Sequence, residues 1–312
     1  MPVAEPSLAR LSHPLARYVA ATRPPFLTVT LAAFLIGVST ATFSGFAPQW
    51  DITLVVFCFA LAAHGAANVI NDFHDAANGT DSANVHRLYP FTGGSRMIDN
   101  GVLSATHMGA FGYLLLAAVV PAGLWLMWRS TPELFWIGLA GMLVVWSYSA
   151  PPIQLMCRGL GEFGIAAGWT LIAAGTDMAQ RGGFSVLPWL AGFPYALLVV
   201  NILYINQFPD READEAAGKR TLIVRLGAQT AKWGYLLIAA LSYGLMLFFV
   251  GKSWLPIYAA AGAFALPFSF HAARGLIAHA TEPEKLRPAI VQSVIAANLS
   301  GVLTALGMFF SR

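Results

Sequence analysis

Residues 52–76 read ITLVVFCFALAAHGAANVINDFHDA, an apolar run that ends in an acidic motif. Between Arg23 and Asp72 the only Asp, Glu, Lys or Arg is Asp51. A helix needs roughly 20 mostly apolar residues to cross the hydrocarbon core of a bilayer. The stretch therefore predicts a membrane-spanning helix whose last turns carry carboxylate groups.

The rest of the chain repeats this pattern. Of its 312 residues, 57% are hydrophobic and only 11% are charged, whereas soluble domains carry about 25% charged residues. We predict an all-α, polytopic membrane protein with one transmembrane domain over residues 1–312. It begins with a polar cytoplasmic segment, 1–22, that holds a short interfacial helix around 8–19. Nine transmembrane helices are predicted, at about 25–45, 52–76, 106–127, 133–150, 160–178, 186–208, 230–250, 254–277 and 288–310.

The distribution of Lys and Arg indicates how these helices are oriented. With the N-terminus in the cytoplasm, 14 of the 18 basic residues fall on the cytoplasmic side, as the positive-inside rule requires. The other side holds Arg129, Arg181, Lys252 and Arg312. We expect an integral protein of a bacterial cytoplasmic membrane, with membrane lipid around it. Its basic residues form no long run, which argues against a nucleic-acid partner.

A second acidic motif ends the sixth predicted helix, just as the first motif ends the second helix. The motifs lie four predicted helices apart, so helices 2–5 and 6–9 are expected to be two copies of a four-helix unit. Pro209 is expected to kink or end the regular helix there. Side chains at i, i+4 and i+7 share a helix face. One face therefore presents Asn68, Asp72 and Asp75, with Asn71 at its margin and His64 one turn earlier, and the other presents Asn206, Asp210 and Asp214.

Two carboxylate-rich faces at helix C-termini need a positive partner, because helix C-termini already carry partial negative charge. Oxygen ligands without a Cys or His set favour Mg²⁺, which commonly bridges carboxylates and substrate phosphates. The predicted ligands are Asp72, Asp75, Asp210 and Asp214, with Asn68 and Asn206 in support and Asp81 as either a further ligand or a loop cap. Nearby basic residues would hold the remaining phosphate charge: Arg96, Lys219, Arg220 and Arg225. This set suits an enzyme that ionises an allylic diphosphate, since metal ions and cations stabilise the departing pyrophosphate.

Together these features resemble those of the UbiA-type intramembrane aromatic prenyltransferases. The resemblance is carried by Arg23-Pro24, by Asn68 to Asp81, by Tyr148 to Glu162 and by Asp210 to Gly227. It implies nine transmembrane helices, Mg²⁺, a polyprenyl diphosphate and an aromatic acceptor.

Within that family, the motifs N-D-x-x-D-x-x-x-G-x-D at 71–81 and D-x-x-x-D-x-x-x-G-K-R-T at 210–221 look most like those of the 1,4-dihydroxy-2-naphthoate prenyltransferases of menaquinone synthesis. The implied reaction alkylates the ring carbon that bears the carboxylate, CO₂ leaves, and a nearby Asp takes the phenolic proton. Two segments depart from the pattern. Leu155 to Arg158 lacks a Lys before the Arg-Gly-Leu-Gly run, and Asn206-Gln207 replaces an Asn-Asn pair. 4-Hydroxybenzoate and other phenols therefore stay open as acceptors.

The resemblance also assigns roles to single residues. It implies that Lys219 or Arg220 contacts the diphosphate, and Arg96, Arg158 and Arg225 are further candidates. Candidate acceptor-binding residues are Arg23, His64, Asn71, Tyr148 and Tyr204, although His64 equally suits a packed, hydrogen-bonded histidine. A secondary transporter is the alternative of another class, because transporters also carry intramembrane acids. Their coupling residues lie near the midplane, whereas these acids lie at the cytoplasmic edge.

Overall fold

The computed structural model describes residues 4–311, and these fold into helices and loops without a strand. The all-α prediction is confirmed. The α-helices are α1 (Pro14–Ala21), α2 (Thr28–Phe43), α3 (Trp50–Asn78), α4 (Thr80–Ala83), α5 (Ala105–Arg129), α6 (Leu134–Ser149), α7 (Gly161–Arg181), α8 (Leu187–Ala216), α9 (Leu222–Leu226), α10 (Ala228–Gly251), α11 (Leu266–His279) and α12 (Arg287–Phe309). Short 3₁₀ segments lie at Pro24–Leu27, Leu155–Arg158, Ile257–Ala265 and Pro283–Lys285.

Each predicted span coincides with a helical segment, but the segments differ in length and polarity. Within residues 4–311, six helices are long and apolar enough to cross a membrane. Helix α6 is apolar but has only 16 residues. The six are Pro24–Phe43, Trp50–Asn78, Ala105–Arg129, Leu187–Ala216, Ala228–Gly251 and Arg287–Phe309.

Two predicted boundaries are wrong. The interfacial helix expected near 8–19 begins only at Pro14, where proline's fixed φ suits the first helical position. The span expected at 254–277 is a 3₁₀ segment followed by α11, and Pro267, near the start of α11, lacks the N–H that a continuous helix would use. Residues 1–3 of the predicted N-terminal segment lie outside the described residues, as does Arg312, which was counted in the orientation argument.

The centre of the molecule is the packing of α2 against α7, α8 and α12. Its buried side chains include Ile36, Tyr195 and Leu198. The Tyr195 hydroxyl donates a hydrogen bond of 2.6 Å to the carbonyl of Val29, which satisfies the one polar atom of a fully buried ring. Helix α3 packs mainly on α5, and both acidic motifs lie beside this central packing.

Helices α3 and α8 carry the acidic motifs inside regular helix. Helix α8 runs unbroken from Leu187 to Ala216, so the expectation that the helix could end at Pro209 is wrong. Proline costs one backbone hydrogen bond, but membrane helices tolerate it where neighbouring elements compensate, and Pro209 is buried among them. Helix α3 ends at Asn78, and Gly79 turns the chain into α4 with a φ of 81°.

Candidate functional site

A cavity of about 390 Å³ lies between α3, α6, α7 and α8, a volume typical of small-molecule sites. One end, which we call the acidic mouth, is formed by Asp75, Asp81, Asp210, Asp214 and Lys219. The remainder, the apolar arm, extends to side chains near the opposite ends of α3, α5 and α6: Val56, Leu126, Leu134 and Ile137. The cavity thus joins a charged end to a long apolar space.

Of the two carboxylates that the first motif places on α3, one lines the cavity and one lies behind it. Asp72 is 3% exposed and does not line the cavity. Its Oδ2 accepts a 3.0 Å hydrogen bond from the backbone N–H of Ser95, while its Oδ1 has no partner. Asp75 does line the cavity, and its Oδ2 accepts a 3.2 Å hydrogen bond from the Asn71 amide.

The second motif meets the first across the cavity. The Asn84 amide donates a 2.5 Å hydrogen bond to Oδ1 of Asp210. Asn206 donates to the carbonyl of Phe91 at 3.4 Å, and its own Oδ1 is buried without a partner. Asn68 likewise donates from its side-chain amide to a backbone carbonyl, that of Thr22, at 2.9 Å.

Lys219 connects the two motifs. Its Nζ lies 2.7 Å from Oδ1 of Asp75 and 3.4 Å from Oδ1 of Asp214, and its side chain is only 2% exposed. Burial alone would lower the pKa of Lys219, but the negative charges of Asp75 and Asp214 outweigh it and raise the pKa above the ordinary lysine value. A buried cation therefore already offsets part of the charge that the motifs bring together.

Asp81 belongs to the same end of the cavity. Burial, together with the negative charges of Asp72 and Asp75, raises the pKa of Asp81 to about 8. Gly94 packs against this carboxylate with a φ of +71°, and a Cβ there would lie 2.5 Å from Asp81 Oδ2. Only glycine allows this backbone to approach so closely.

The acidic mouth suits a hard divalent cation in the presence of a phosphate ligand. No three His, Cys, Asp or Glu side chains in the described part of the chain converge as a ready-made metal centre. Mg²⁺, however, is usually held by one or two carboxylates plus substrate phosphates rather than by an all-protein cage. Three oxygens without partners, on Asp72, Asn84 and Asn206, are buried here, and a buried acceptor without a donor is costly unless a ligand satisfies it.

The predicted diphosphate-binding arginines lie outside the cavity lining. Arg96 is buried, donates to the carbonyl of Asp81 and pairs with Asp99 at 3.5 Å. Arg158 and Arg225 are exposed and hold loop carbonyls, Arg158 that of Pro152 and Arg225 those of Arg158 and Arg220. Arg220 is exposed as well. Of the basic residues, Arg23 and Lys219 line the cavity, and Arg23 donates to the carbonyl of Phe91 at 3.0 Å.

The candidate acceptor residues divide into two groups. His64, Asn71 and Tyr148 line the cavity, and His64 is also hydrogen-bonded to Thr30 at 2.8 Å. Tyr204 does not line the cavity. Its hydroxyl donates to the carbonyl of Ala231 at 2.7 Å, so its ring serves the packing of α8 on α10.

Sequence reasoning missed several polar residues of the site. Asn84 and Ser95 follow the first motif in loops, and their contacts with Asp210 and Asp72 are long-range. Gln207 and Glu162 line the cavity and are hydrogen-bonded to each other at 2.7 Å. Asn84 and Ser95 lie outside the long helices, so helical spacing could not predict their positions. Their only signal in the sequence is the polar stretch between two apolar spans.

Comparison with known proteins supports the same interpretation. The 2-carboxy-1,4-naphthoquinone phytyltransferase of Synechocystis is 31% identical over 234 residues, which cover 72% of this chain and 70% of that protein. The 1,4-dihydroxy-2-naphthoate octaprenyltransferase of Haemophilus influenzae is 25% identical, with 92% and 93% covered. The chloroplastic chlorophyll synthase of Arabidopsis thaliana is 29% identical over 68% of this chain and 54% of its own length. The chain thus spans about half the length of that relative.

Solved structures share the fold. A UbiA homologue from Aeropyrum pernix superposes with a TM-score of 0.60 at 15% identity, over 89% of this chain and 98% of that one. A homologue from Archaeoglobus fulgidus, bound to DMAPP and Mg²⁺, gives a TM-score of 0.56 at 16% identity, over 93% and 99%. The model of the UbiA prenyltransferase family matches residues 30–293. The chain is therefore an integral membrane protein that belongs to the UbiA prenyltransferase family.

Proposed function

We propose that this protein transfers a polyprenyl group from an allylic diphosphate to an aromatic acceptor in an Mg²⁺-dependent reaction. The observation that carries the proposal is the cavity itself, in which a mouth of four carboxylates and a buried lysine opens into a long apolar arm. A molecule with a charged head and a hydrocarbon tail matches both ends.

The head of the donor binds at the acidic mouth. When bound, Mg²⁺ supplies charge neutralisation for the departing pyrophosphate. Asp75, Asp210 and Asp214 would hold it there, and Asp72 and Asn206 each have a buried side-chain oxygen without a hydrogen-bond partner. Asn68 and Asp81 support the same end of the cavity. The A. fulgidus homologue, bound to DMAPP and Mg²⁺, agrees with this choice of metal and donor.

Cations of the chain hold the rest of the phosphate charge. Lys219 lies in the mouth, and we assign it the first contact with the diphosphate. Arg220, Arg96, Arg158 and Arg225 form the basic surroundings outside the cavity lining. Arg220 follows Lys219 in its loop, Arg225 lies in α9, Arg158 ends the 3₁₀ segment Leu155–Arg158, and Arg96 lies between α4 and α5. Positive charge near the mouth also favours the approach of an anionic donor.

We propose 1,4-dihydroxy-2-naphthoate as the acceptor, in a reaction of menaquinone biosynthesis. The names of the Synechocystis and H. influenzae relatives support a naphthoate-type acceptor. Arg23 lines the cavity without a carboxylate partner among residues 4–311, so it is free to hold the acceptor's carboxylate. Asn71, His64 and Tyr148 form walls of the same space.

The reaction then joins donor and acceptor inside the cavity. The bond from the prenyl C1 to the diphosphate oxygen breaks, and the electron-rich ring carbon forms a new bond to C1. CO₂ leaves from that carbon, and its bonding electrons return to the ring. The apolar walls keep water away from the allylic cation, and aromatic ring faces such as that of Tyr148 stabilise it.

The same proposal extends to the architecture. We place nine transmembrane helices in one domain, with helices 2–5 and 6–9 as two related four-helix units. The excess of basic residues near the acidic mouth supports a cytoplasmic location for the N-terminus and the site loops. The membrane is then a bacterial cytoplasmic membrane.

An acceptor panel tests the function. The full chain in detergent, with Mg²⁺ and farnesyl diphosphate, should convert 1,4-dihydroxy-2-naphthoate into a prenylated naphthoquinol with loss of CO₂, detected by mass spectrometry. Product with 4-hydroxybenzoate alone would keep the chemistry and replace the acceptor. Absence of Mg²⁺-dependent product from any phenol would contradict the proposal.

Two variants connect that activity to the mouth. Asp210→Asn and Asp75→Asn should each lower kcat by about 100-fold or more, because each removes a carboxylate that would hold the Mg²⁺ on which stabilisation of the leaving group depends. Glu284→Gln, at an exposed site outside the cavity lining, is the control and should keep full turnover. Normal turnover in both Asp variants would show that these carboxylates take no part in the mechanism.

A further inference from the structure

Gln207 lines the cavity and carries a buried side-chain acceptor without a hydrogen-bond partner. Its side chain is 8% exposed and lines the cavity. The Nε2 group donates a 2.7 Å hydrogen bond to Oε1 of Glu162, but Oε1 of Gln207 is buried with no partner. A buried amide oxygen without a donor costs free energy unless a ligand satisfies it.

Glu162 is a cavity-lining acid to which the proposed function gives no role. It lies in the first turn of α7, where the helix dipole favours a negative charge, and it lines the same cavity. None of the ion pairs formed by residues 4–311 includes it. Unlike Asp75 and Asp214, which face Lys219, this carboxylate has no cation of its own.

The pair lies on the membrane side of the acidic mouth. Gln207 precedes Asp210 by three residues on α8, which is about one helical turn. Tyr148 lines the same cavity and lies 3.1 Å from the Cβ position of Gly164, two residues after Glu162 on α7, so an aromatic wall adjoins the pair. A ring that attacks the donor's C1 must lie here, between the diphosphate and the apolar arm.

We propose that Glu162 and Gln207 form the acceptor-binding subsite, and that Glu162 is the base. This inference rests on the proposed transfer of the prenyl group to an aromatic ring. The hydroxyl next to the attacked carbon donates to the Glu162 carboxylate. Gln207 positions Glu162 through Nε2, and its Oε1 accepts a hydrogen bond from a second hydroxyl. The subsite therefore favours a dihydroxylated ring over a monophenol.

The proton follows a closed course in this scheme. The hydroxyl proton moves to Glu162 as the ring carbon bonds to the prenyl C1 and the C1–diphosphate bond breaks. With a carboxylated ring, CO₂ leaves and its electron pair forms an enolate. Glu162 then returns the proton to the enolate oxygen, so no external acid or base is consumed.

Steady-state kinetics of the full chain with Mg²⁺ and farnesyl diphosphate test the base. Glu162→Gln keeps an acceptor for the Gln207 amide but removes the charge. We expect kcat to fall by about 100-fold or more, the usual contribution of a general base, with the KM for farnesyl diphosphate within about twofold of wild type. Glu215→Gln, exposed on α8, should behave as wild type.

A second variant tests the Gln207 side of the subsite. It keeps the Glu162 carboxylate but also removes the Nε2 hydrogen bond that positions it, so KM is compared between two acceptors. Gln207→Met should raise the KM for 1,4-dihydroxy-2-naphthoate by about tenfold, the loss of one hydrogen bond to a buried group. With the 4-O-methyl ether of that acceptor, Gln207→Met and wild type should have equal KM values, because the ether has no second hydroxyl to donate.

The outcomes separate this inference from the function beneath it. If wild type prenylates a dihydroxy acceptor while Glu162→Gln keeps full kcat, the base assignment is wrong and the proposed function stands. Loss of farnesyl diphosphate binding in Glu162→Gln would also overturn the assignment of Glu162 as the base. If wild type prenylates no aromatic acceptor, the proposed function fails first.

Discussion

Lys219 determines the charge balance of the site in the absence of metal. It follows the second motif in a loop, yet its ammonium group lies between carboxylates of both motifs. A buried charge that loses its partner is strongly destabilising, whereas an intact buried pair adds little. Lys219 is therefore a structural counter-ion as well as the proposed diphosphate contact.

We expect Lys219→Met to lower the free energy of unfolding of the metal-free protein by about 3–5 kcal/mol, the usual result of removing one partner of a buried pair. Because Asp75 and Asp214 raise the pKa of Lys219, its contribution is complete below the unfolded-state pKa of about 10.4 and is lost only above the folded-state value. Lys219 itself should therefore stay charged, and keep its contribution, at about pH 8 and at about pH 9.

Thermal unfolding in detergent with a chelator measures this effect. Lys252→Met, at an exposed position, is the matched control and should change little. Added Mg²⁺ and pyrophosphate should restore part of the lost stability in Lys219→Met, because a ligand that binds only the folded state stabilises it. Equal melting of wild type and Lys219→Met would contradict the counter-ion role.

At the scale of the elements, glycine sets how closely the central helices approach. A Cβ on Gly301 of α12 would lie 2.5 Å from Tyr195 Cε2 and 2.8 Å from Ala32 Cβ. Helix α12 therefore packs this closely on α8 and α2 because position 301 has no side chain beyond hydrogen. Small residues at such crossings are a common means of close packing in membrane proteins.

We expect Gly301→Ala to lower the free energy of unfolding by about 1–3 kcal/mol, the usual cost of overpacking. Gly244→Ala is the matched control, because a Cβ at Gly244 of α10 would meet nothing within 4 Å. That change should be neutral or stabilising by about 0.5–1 kcal/mol. Thermal unfolding of both variants in one detergent decides, and an equal effect would show that the contact does not control packing.

At the scale of the whole molecule, the cavity runs from the acidic mouth nearly to the far ends of three helices. Tyr148 and Leu134 both line it, and 14 residues of helix separate them, a depth of about 21 Å. Its walls include Gly123, Gly138 and Gly141, and a Cβ at any of these would meet nothing within 4 Å. The apolar arm therefore has room for a donor tail of several isoprene units.

Filling the arm should shorten the donor that the protein accepts. We expect Gly141→Leu to lower kcat/KM for geranylgeranyl diphosphate at least tenfold. The donor tail would overlap the added leucine side chain, and such overlap costs about 1–3 kcal/mol. The value for dimethylallyl diphosphate, whose tail does not reach the arm, should stay near that of wild type. Gly244→Leu, outside the cavity, serves as control, and an equal loss for both donors would exclude a role in chain length.

Hydrophobicity and spacing in the sequence were sufficient to predict an all-helical membrane protein and to single out both acidic motifs. Apolar runs must be helical in lipid because every backbone polar group needs an internal partner. The i, i+4, i+7 spacing placed Asp72 on the face of Asn68 and Asp75, but in the structure Asn71 lines the cavity and Asp72 lies behind it. The same local rules allowed the helix to end at Pro209, whereas α8 continues through this buried proline to Ala216.

Contacts between distant segments were decided by the tertiary structure alone. It placed Asn84 on Asp210, Ser95 on Asp72 and Lys219 between two motifs, and it turned Tyr204 away from the cavity. Helical periodicity reports which side chains share a face of one helix. It carries no information on which faces meet, because that depends on how the volumes of many side chains fit together. The sequence by itself thus determined an all-helical membrane protein with two acidic motifs, and the packing decided which polar groups join them in one cavity.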